Sequence, residues 1–474
     1  MSTTHSNSSR LETLRAHFTA YSQSHVFDGL DSLDSATLDT FLDQLASIDL
    51  EEVKRLLAGE GIDNRAGGTT LEPAPFVPRA STEARHHRAN GETLIRAGHV
   101  AAFTVAGGQG TRLGWLGPKG TFPATPHTNK PLFQLFAEQL KATGRAYDVM
   151  IPWYVMTSPL NDAETRAFFE AHSFFGLDPD SVMLFPQGVM PAVDEAGRLL
   201  LERPGHLAVS PDGHGGSLRA LARSGALADM KRRGITTISY FQVDNPTVHA
   251  IDPVFLGLHA ASEGSSAEMS SKMVPKCAAD EKVGVFCAHG DGVCVIEYSD
   301  LDPALAKARH DHGALCFIAG SIALHAIGVA FVERLTAEDS SMRLPFHLAK
   351  KKVPFWDPHT NTLVEPTHPN GTKFEMFVFD ALAFASRSIV LETDRVEEFA
   401  PIKNAEGSDS AASSAALQIE RAARWIEHAG GSVPRRSDGG VDASIEIQAS
   451  TALEAADLAG TDVPEIAAGS SVTL

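Results

Sequence analysis

The sequence contains few cysteines and no long unbroken apolar run. Its four cysteines, at positions 277, 287, 294 and 316, form no Cys-x-x-Cys pair, which favours buried thiols in a reducing compartment over a disulfide or zinc framework. The longest apolar run, at 316–335, is interrupted by Ser321, His325 and Glu333, so a buried strand and helix explain it better than a membrane span. The first residues, MSTTHSNSSRLETLRAHF, include no apolar core of a secretory signal. We therefore expect a cytoplasmic protein that does not bind membranes.

Positive charge is also scarce in this chain. Lys and Arg total 40 residues against 59 Asp and Glu, which gives a formal net charge of −19. This balance argues against a general nucleic-acid binder, and any anionic ligand has to be held by a local group of cations. The 474 residues are 43% apolar and 21% charged, as in globular proteins, and are enough for a main domain with smaller appendages.

The pattern along the chain predicts three parts. Helical periodicity between residues 10 and 60 indicates a helical N-terminal extension, which we place at 1–75. From 90 to 400, strand-like runs alternate with amphipathic helical ones, which predicts an α/β domain with a mixed, largely parallel sheet. The remainder, 405–474, begins with the polar stretch GSDSAASSAA, which we interpret as a mobile loop or linker before a small C-terminal lobe.

Within the α/β part, the predicted strands are HVAAFTVA, VMIPWYVMT, SVMLFP, TTISYFQV and SIVLET, and the predicted helices include PLFQLFAEQLKAT, NDAETRAFFEAHSFF and LRALARSGALADMKRRG. The segment VGVFCAHGDGVCVIEYSDL predicts an antiparallel hairpin, because two β-rich runs flank a Gly/Asp turn. In sheets of parallel strands, ligands bind beyond the carboxyl ends of the strands. Chemistry-bearing residues that follow a predicted strand are therefore candidates for the functional site.

The segment VAAFTVAGGQGTRLGWLGPKGTFP, residues 100–123, combines a buried strand with a glycine-rich loop and two cations. Glycines let backbone amides approach a phosphate without obstruction by side chains. Arg112 offers a planar fork for phosphate oxygens, and Lys119 offers a movable point charge. The loop is not a Walker A motif, since no GK[ST] closes it, and the third glycine of GxGxxG would fall at Leu113. A structural glycine turn with solvated cations is the competing interpretation.

The run AGGQGTRLG followed by PKG resembles the UDP-sugar pyrophosphorylase family (the UTP--glucose-1-phosphate uridylyltransferase family), in a form closest to the eukaryotic-type UDP-N-acetylglucosamine pyrophosphorylases. Further blocks resemble that family in the same order, from about residue 95 to 410: MTS, FFEAHSFFGLD, PQGVMPAV, SPDGHGG, VDNP with DPVFLG, VGVFC with VIEYSD, HPNGTKFEMFVFD and EEFAPIKNAEG. The resemblance implies a GT-A-like (Rossmann-like) nucleotidyltransferase core. It also implies that UTP and a sugar 1-phosphate react to give a UDP-sugar and pyrophosphate.

The resemblance assigns roles to individual positions. It implies catalytic roles for Arg112, Lys119 and Lys403, nucleotide binding by Ala106, Gly107, Gly108, Gly110, Gln187 and Gly213, sugar binding by His214, Glu297 and Ser321, and Mg²⁺ binding by Asp244. The residues themselves agree in part. Asp244 follows the apolar run TTISYFQV, which predicts a carboxylate at a strand end, and magnesium commonly takes one or two carboxylates there. In isolation, Asp244 would equally cap the turn that follows it.

Two positions leave the identity of the sugar 1-phosphate substrate open. His214 lies where the N-acetylglucosamine enzymes are expected to have asparagine, and it resembles the PHGHG form of UDP-glucose and broader UDP-sugar enzymes. Ser321 likewise lies where asparagine is expected. N-Acetylglucosamine 1-phosphate is the substrate implied by the closest resemblance, and a UDP-glucose or broad UDP-sugar pyrophosphorylase is the alternative. A catalytically silent nucleotide-sugar binding protein is a further alternative, which the joint presence of Arg112, Lys119, Asp244 and Lys403 disfavours.

Overall fold

A computed structural model describes residues 2–62, 71–290, 292–337, 342–358 and 360–474, with residues 2–7 and 32 described by their backbone alone. The α-helices of the described residues are α1 (Ser2–Ala20), α2 (Ser35–Ser47), α3 (Leu50–Leu57), α4 (Thr82–His86), α5 (Arg88–Arg96), α6 (Leu132–Tyr147), α7 (Asp162–Ala171), α8 (Gly216–Arg223), α9 (Ala226–Arg232), α10 (Pro253–Ala261), α11 (Pro303–Lys307), α12 (Val329–Thr336), α13 (Arg395–Glu398) and α14 (Ala411–His428).

The strands are short, apart from one of ten residues. They are β1 (Glu72–Pro73), β2 (Val100–Val105), β3 (Trp153–Thr157), β4 (Val182–Pro186), β5 (Val189–Pro191), β6 (Val193–Asp194), β7 (Leu201–Arg203), β8 (His206–Leu207), β9 (Val209–Pro211), β10 (Thr237–Gln242), β11 (Met269–Pro275), β12 (Val285–His289), β13 (Gly292–Ile296), β14 (Ala319–Gly328), β15 (His347–Lys351), β16 (Phe355–Asp357), β17 (Thr362–Val364), β18 (Gly371–Glu375), β19 (Val390–Glu392), β20 (Ser444–Glu446) and β21 (Ser471–Thr473).

The chain divides into two compact units. The first unit comprises residues 1–65, 188–217 and 343–378. It contains α1 to α3, a three-stranded sheet in the order β15-β18-β6, and the pairs β5 with β9, β7 with β8 and β16 with β17. The Gln23 side chain accepts the Leu199 N–H at 2.9 Å and donates to the Gly197 carbonyl at 3.0 Å. The N-terminal helices are therefore tied to a segment almost 180 residues away.

The second unit comprises residues 66–187, 218–342 and 379–474. Its central sheet has the order β1-β12-β14-β10-β2-β3-β4, with β11 beside β14, β13 beside β12 and β19 beside β11. Strands β10, β2, β3 and β4 run parallel, whereas β14 is antiparallel to β10. The carboxyl ends of the four parallel strands and the beginning of β14 consequently share one edge of the sheet.

The burial of these strands explains why the sequence forms them. Every residue of β3 is buried, as are the first five of β2 and of β10, so their nearly continuous apolar runs are those of strands covered on both faces. Inside this layer the Trp153 indole N–H donates to the Thr104 hydroxyl at 2.8 Å, which satisfies two buried polar groups. The five predicted strands and the predicted hairpin, now β12 and β13, are confirmed.

Two helical predictions need correction. The polar stretch GSDSAASSAA is not a mobile loop, since Ala411–His428 forms α14. Ser410 and Ser413 form a reciprocal capping box at its start, and alanine is the strongest helix former, so low complexity coincides here with high helix propensity. The run LRALARSGALADMKRRG forms two helices, α8 and α9, because Gly225 between them has a φ of +82°, which glycine tolerates best.

The predicted fold class, a mixed α/β fold with a largely parallel central sheet, is confirmed. The GT-A-like assignment and the domain boundaries at 1–75, 90–400 and 405–474 stay predictions. The C-terminal residues include a parallel pair of strands, β20 and β21, with a small apolar cluster around Ala423, Ile426 and Ile445. Among the described residues, no helix has the length and apolar character needed to cross a bilayer.

Helices α5 and α10 cross at two glycines. A Cβ on Gly91 would lie 1.8 Å from the Pro253 carbonyl oxygen, and a Cβ on Gly257 would lie 1.9 Å from the His87 carbonyl oxygen. The two backbones therefore approach more closely than any side chain permits. Substitution at either glycine would have to separate the helices.

We expect Gly91→Ala to lower the free energy of unfolding by about 3 kcal/mol or more, since the added methyl meets backbone that cannot rotate away. Urea unfolding followed by circular dichroism measures this. Gly292→Ala is the matched control, because its Cβ would lie 3.6 Å from the nearest atom, the His289 carbonyl oxygen, which is an ordinary contact. Equal stability of the two variants would contradict this description of the helix crossing.

Candidate active site

The glycine-rich loop folds back on itself after β2. The Ala106 N–H donates to the Met156 carbonyl at 2.7 Å, which still belongs to the sheet pattern. Beyond it, the Gly110 N–H donates to the Gly117 carbonyl at 2.9 Å, and the Lys119 N–H donates to the Gly108 carbonyl at 3.0 Å. This closure places Lys119, in the 3₁₀ turn Lys119–Thr121, beside the start of the loop.

Within the described residues, the N–H groups of Gly107 and Gly108 donate to no other group. Unpaired, adjacent amides at the end of a parallel strand form a concave site for anions. Glycine is required at Gly110 for a packing reason, since a Cβ there would lie 2.7 Å from the Trp115 Cβ. The indole of Trp115 is in turn fixed by a 2.9 Å hydrogen bond to the Thr121 hydroxyl.

Asn161 holds the loop in place from the neighbouring strand. This fully buried side chain donates to the Ala106 carbonyl at 3.1 Å and to the Gly108 carbonyl at 3.3 Å. Its oxygen accepts the Ser158 N–H at 2.8 Å. The turn after β3 thus supports the loop after β2. Sequence reasoning missed Asn161, whose local pattern, Ser-Pro-Leu-Asn, indicates only a turn.

Gln187 lies against the first glycine of the loop. It follows β4, and its N–H donates to the Thr157 carbonyl at 2.9 Å. A Cβ on Gly107 would lie 3.2 Å from the Gln187 Nε2, so the glycine leaves just enough room for the amide. Gly107 and Gln187, two of the six nucleotide-binding positions predicted from the sequence, are therefore adjacent. The side-chain amide can offer both a donor and an acceptor.

Lys119 and Asp244 form an ion pair at the same sheet edge. The Lys119 Nζ lies 3.4 Å from the Asp244 Oδ2, and both side chains are mostly shielded from solvent, at 18% and 12% exposed. Asp244 follows β10 by two residues. Its Oδ1 makes no hydrogen bond to any residue that the structure describes. A cation from the glycine loop and a carboxylate from the next parallel strand thus converge, although 125 residues separate them.

Lys403 is held beside Asp244 by its backbone. The Ile402 N–H donates to the Asp244 carbonyl at 2.8 Å, and the Lys403 N–H donates to the Asp409 carbonyl at 2.6 Å. The Lys403 side chain is 38% exposed, with its Nζ 4.0 Å from the Asp409 Oδ2 and 5.6 Å from the centre of the Phe399 ring. Such a weakly held ammonium can reorient towards an incoming anion.

Arg112 differs from the other predicted cations. It lies in the 3₁₀ turn Thr111–Leu113, is exposed, and forms no ion pair or hydrogen bond with the described residues. Its guanidinium is therefore available for a phosphate group. Its predicted catalytic role stays a prediction.

Glu297 and Ser321 both lie beside Gly284. The Ser321 N–H donates to the Gly284 carbonyl at 2.7 Å, and a Cβ on Gly284 would lie 3.4 Å from the Glu297 Oε1. Ser321 lies near the beginning of β14, which is antiparallel to β10. Two of the three predicted sugar-binding residues, Glu297 and Ser321, thus lie at the edge of the sheet where β10 ends and Asp244 follows.

Gly213 and His214 belong to the first unit. A Cβ on Gly213, whose φ is +85°, would lie 2.3 Å from the Met376 carbonyl oxygen, so only glycine fits. The His214 Nδ1 accepts the Val378 N–H at 3.2 Å, and the ring stacks on Phe377 with 5.3 Å between centres. A neutral His214 therefore carries its proton on Nε2 and donates from that side. The predicted roles of both residues stay predictions.

Comparison with known proteins identifies relatives over most of the chain. The family model described as UTP--glucose-1-phosphate uridylyltransferase matches residues 69–433. The chain is 37% identical over 430 residues to UDP-N-acetylhexosamine pyrophosphorylase-like protein 1 of Xenopus tropicalis, covering 86% of this chain and 83% of the relative. It is 35% identical over 430 residues to UDP-N-acetylglucosamine pyrophosphorylase of Saccharomyces cerevisiae, covering 86% and 89%.

A solved structure has the same fold. The crystal structure of the uridine diphosphate N-acetylglucosamine pyrophosphorylase from Trypanosoma brucei in complex with inhibitor superimposes with a TM-score of 0.80 at 26% sequence identity. The alignment covers 95% of this chain and 94% of that structure.

We expect Asn161→Ala to weaken UTP binding about tenfold, because two loop carbonyls lose their donor and one hydrogen bond is worth about 1 kcal/mol. Titration calorimetry with UTP measures the affinity. Asn370→Ala is the matched control, since that asparagine also holds backbone, accepting the Val353 N–H and donating to the Val353 carbonyl, and it should leave UTP affinity unchanged. Unaltered affinity in Asn161→Ala would show that the loop keeps its shape without this support.

Proposed function

The chain belongs to the UTP--glucose-1-phosphate uridylyltransferase family, and we propose that it transfers the uridylyl group of UTP to N-acetylglucosamine 1-phosphate, releasing pyrophosphate. The names of relatives at 34% and 35% identity support N-acetylglucosamine as the sugar. The single observation that carries the proposal is the convergence of Lys119 and Asp244 beside the unpaired amides of the glycine loop.

The reaction requires positioning and charge stabilisation more than proton transfer. An oxygen of the sugar phosphate attacks the α-phosphorus of UTP, a new P–O bond forms, and the bond from the α-phosphorus to the oxygen that bridges it to the β-phosphorus breaks, so that pyrophosphate departs on the opposite side. The attacking oxygen is already anionic at neutral pH, so no general base is needed. The protein has to bring two polyanions together and stabilise charge as it moves to the leaving group.

The residues of the second unit can divide this work. The amides of Gly107 and Gly108 and the Gln187 side chain bind the nucleotide, with the glutamine facing the base. Lys119, assisted by the exposed Arg112, neutralises the triphosphate and stabilises the transition state. Lys403, which is weakly tethered to Asp409, takes the phosphate of the sugar.

Asp244 is the residue that would hold Mg²⁺. Its unpaired Oδ1 and its place beyond β10 fit a hard cation that takes few protein ligands and completes its shell with phosphate oxygens and water. A bound Mg²⁺ would supply positive charge against the phosphate oxygens. The adjacent Lys119 pairs with the other carboxylate oxygen, Oδ2, at 3.4 Å, which leaves Oδ1 to hold the ion.

For the sugar, we propose that Glu297 and Ser321 contact the hexose. Both lie around Gly284 at the sheet edge, and a carboxylate selects sugar hydroxyls by accepting their hydrogen bonds. The short Ser321 side chain supports the alternative of a UDP-glucose or broad UDP-sugar enzyme, since it grips a substituent at C2 less firmly than an asparagine would. We further propose a cytoplasmic location, which the four free cysteines support.

We expect Lys119→Met and Asp244→Asn each to lower kcat by about two to three decades, the usual loss when a charged group is removed from the transition state. Pyrophosphate release with UTP, Mg²⁺ and N-acetylglucosamine 1-phosphate measures it. Lys130→Met is the matched control, because Lys130 forms another shielded lysine–carboxylate pair, 2.7 Å from Glu138, and it should retain wild-type turnover. Unchanged turnover in the Lys119 and Asp244 variants would overturn the assignment of this site.

We expect the wild-type chain to prefer N-acetylglucosamine 1-phosphate in a panel that also contains the N-acetylgalactosamine, glucose and galactose 1-phosphates. The substitution Ser321→Asn should increase kcat/KM for the N-acetylated sugars relative to glucose, because the new amide can bind an acetamido group. A wild-type preference for plain hexoses would establish the UDP-glucose alternative. No pyrophosphate release with any sugar would favour a silent binding protein.

A further inference from the structure

A group of four charged side chains lies behind the active-site edge of the second unit, three of them buried and the fourth, Arg79, 30% exposed. We call Arg79, Asp252, Lys272 and Glu398 the buried quartet. The Lys272 ammonium, 1% exposed, contacts the Asp252 Oδ2 at 2.7 Å and the two Glu398 oxygens at 2.6 and 2.7 Å. The Arg79 guanidinium adds a 3.0 Å hydrogen bond to the Asp252 Oδ2 and lies 3.6 Å from Glu398. Two cations thus balance two carboxylates.

The two carboxylates of the quartet stay ionised despite their burial. Burial alone raises the pKa of the Asp252 carboxyl, but Lys272 and Arg79 together hold that pKa well below its usual range. The same cations lower the pKa of Glu398 against the opposing effect of burial. Adjacent His249 has its pKa lowered, first of all by burial, so the histidine is neutral at neutral pH.

The arrangement resembles a metal site but already contains its cation. Ligand atoms of His249, Asp252 and Glu398 lie within 4.8 Å of one another, as three ligands of a divalent ion would. The Lys272 Nζ, however, lies within 2.7 Å of both carboxylates and supplies the positive charge itself. The group therefore acts through the backbone segments that its carboxylates bind.

Hydrogen bonds connect the backbone around Glu398 to the backbone of Asp244 in the active site. Its carbonyl accepts the Asn245 side-chain N–H at 2.6 Å, and the Asn245 oxygen accepts the Ala400 N–H at 3.0 Å. The Ile402 N–H then donates to the Asp244 carbonyl at 2.8 Å. These bonds join residues 244–245 to residues 398–402 side by side, so the segment fixed by the Glu398 carboxylate carries Lys403 at one end and locks Asp244 in place.

The quartet also fixes the chain on the far side of Asp244. The Asp252 Oδ1 caps α10 by accepting the Val254 N–H at 2.9 Å, and the Glu398 Oε1 accepts the His249 N–H at 3.3 Å. The turn 244–252 is therefore anchored at both ends. Replacing buried ion clusters with apolar side chains is often neutral or stabilising, so a stability benefit alone does not account for the three buried charges here.

We propose that the buried quartet is a positioning device for the reaction, in which Glu398 and Lys272 set the position of Asp244 and Lys403 relative to the glycine loop. The proposal rests on the function proposed above, in particular on metal binding by Asp244. Glu398 and Lys272 are positioning residues, since neither faces the glycine loop directly. Loss of the Glu398 charge should weaken metal-dependent binding of the nucleotide while leaving the glycine loop and Gln187 intact.

The test compares UTP binding with and without a metal ion, using Mn²⁺ as the probe and titration calorimetry as the readout. In Glu398→Gln, we expect UTP affinity in EDTA to equal that of the wild type and the increase caused by Mn²⁺ to fall at least tenfold, which is the usual loss when a group that orients a metal ligand is changed. With Mg²⁺ and both substrates, KM for the sugar 1-phosphate should rise and kcat should fall. A merely structural role would weaken binding in EDTA as well.

Glu268→Gln is the matched control. Glu268 precedes β11, the strand that contains Lys272, and accepts from Ser266, the Ser386 N–H and Arg334, which lower its pKa to about 2 against the opposing effect of burial. It lies at the opposite end of the strand from the active-site edge. We expect it to lose stability without losing the Mn²⁺ effect, and an equal loss in both variants would overturn the proposal.

A milder variant keeps the test decisive should Glu398→Gln fail to fold. Thr393→Val keeps the shape and charges of the cluster but removes the 2.6 Å hydrogen bond to the Glu398 Oε2, and we expect about a threefold smaller Mn²⁺ effect. An intact Mn²⁺ effect in either folded variant overturns this proposal alone. Absence of the Mn²⁺ effect in the wild type, or its persistence in Asp244→Asn, overturns the metal assignment and this proposal with it.

Discussion

The parallel pairing of β10, β2, β3 and β4 decides where the functional groups of the second unit can lie. Because the four carboxyl ends share one edge, the loop after β2, the turn after β3, Gln187 after β4 and Asp244 after β10 all emerge together. The antiparallel strand β14 brings Ser321 to the same edge. No long connection is needed to assemble a cation, a carboxylate and free amides from residues more than 100 positions apart.

Electrostatics explains why cations collect at this edge of the sheet. A chain with a net charge of −19 has to concentrate positive charge where two polyanionic substrates meet, and Lys119, Arg112 and Lys403 are the cations that this edge supplies. Lys119 is in turn paired with Asp244, whose Oδ2 lies 3.4 Å from the Lys119 Nζ. Behind them the buried quartet neutralises itself, so it can hold the backbone of 244–245 and 398–402 without adding net charge to the site.

The sequence was sufficient for the elements that local patterns encode. Continuous apolar runs identified the buried strands, and Asp244 was placed correctly because it follows one of them. Residue type alone predicted the glycine loop and the cation Lys119, and the structure places them together, while their functional roles stay predictions. The helix α14 was missed because serine and alanine repeats indicate flexibility in one context and a capped helix in another. Asn161, the buried quartet and the first compact unit depend on contacts between distant segments, such as Lys272 with Glu398, 126 residues apart, which no local pattern reveals.

The catalytic step proposed for this edge of the sheet is the attack of a sugar-phosphate oxygen on the α-phosphorus of UTP. The most direct measurement is ³¹P NMR of the products formed from UTP and N-acetylglucosamine 1-phosphate labelled with ¹⁸O on its phosphate oxygens. We expect a UDP-sugar that carries the label on the oxygens of its β-phosphorus, including the bridging oxygen, together with unlabelled pyrophosphate. Label in the pyrophosphate, or an unlabelled diphosphate bridge, would contradict it.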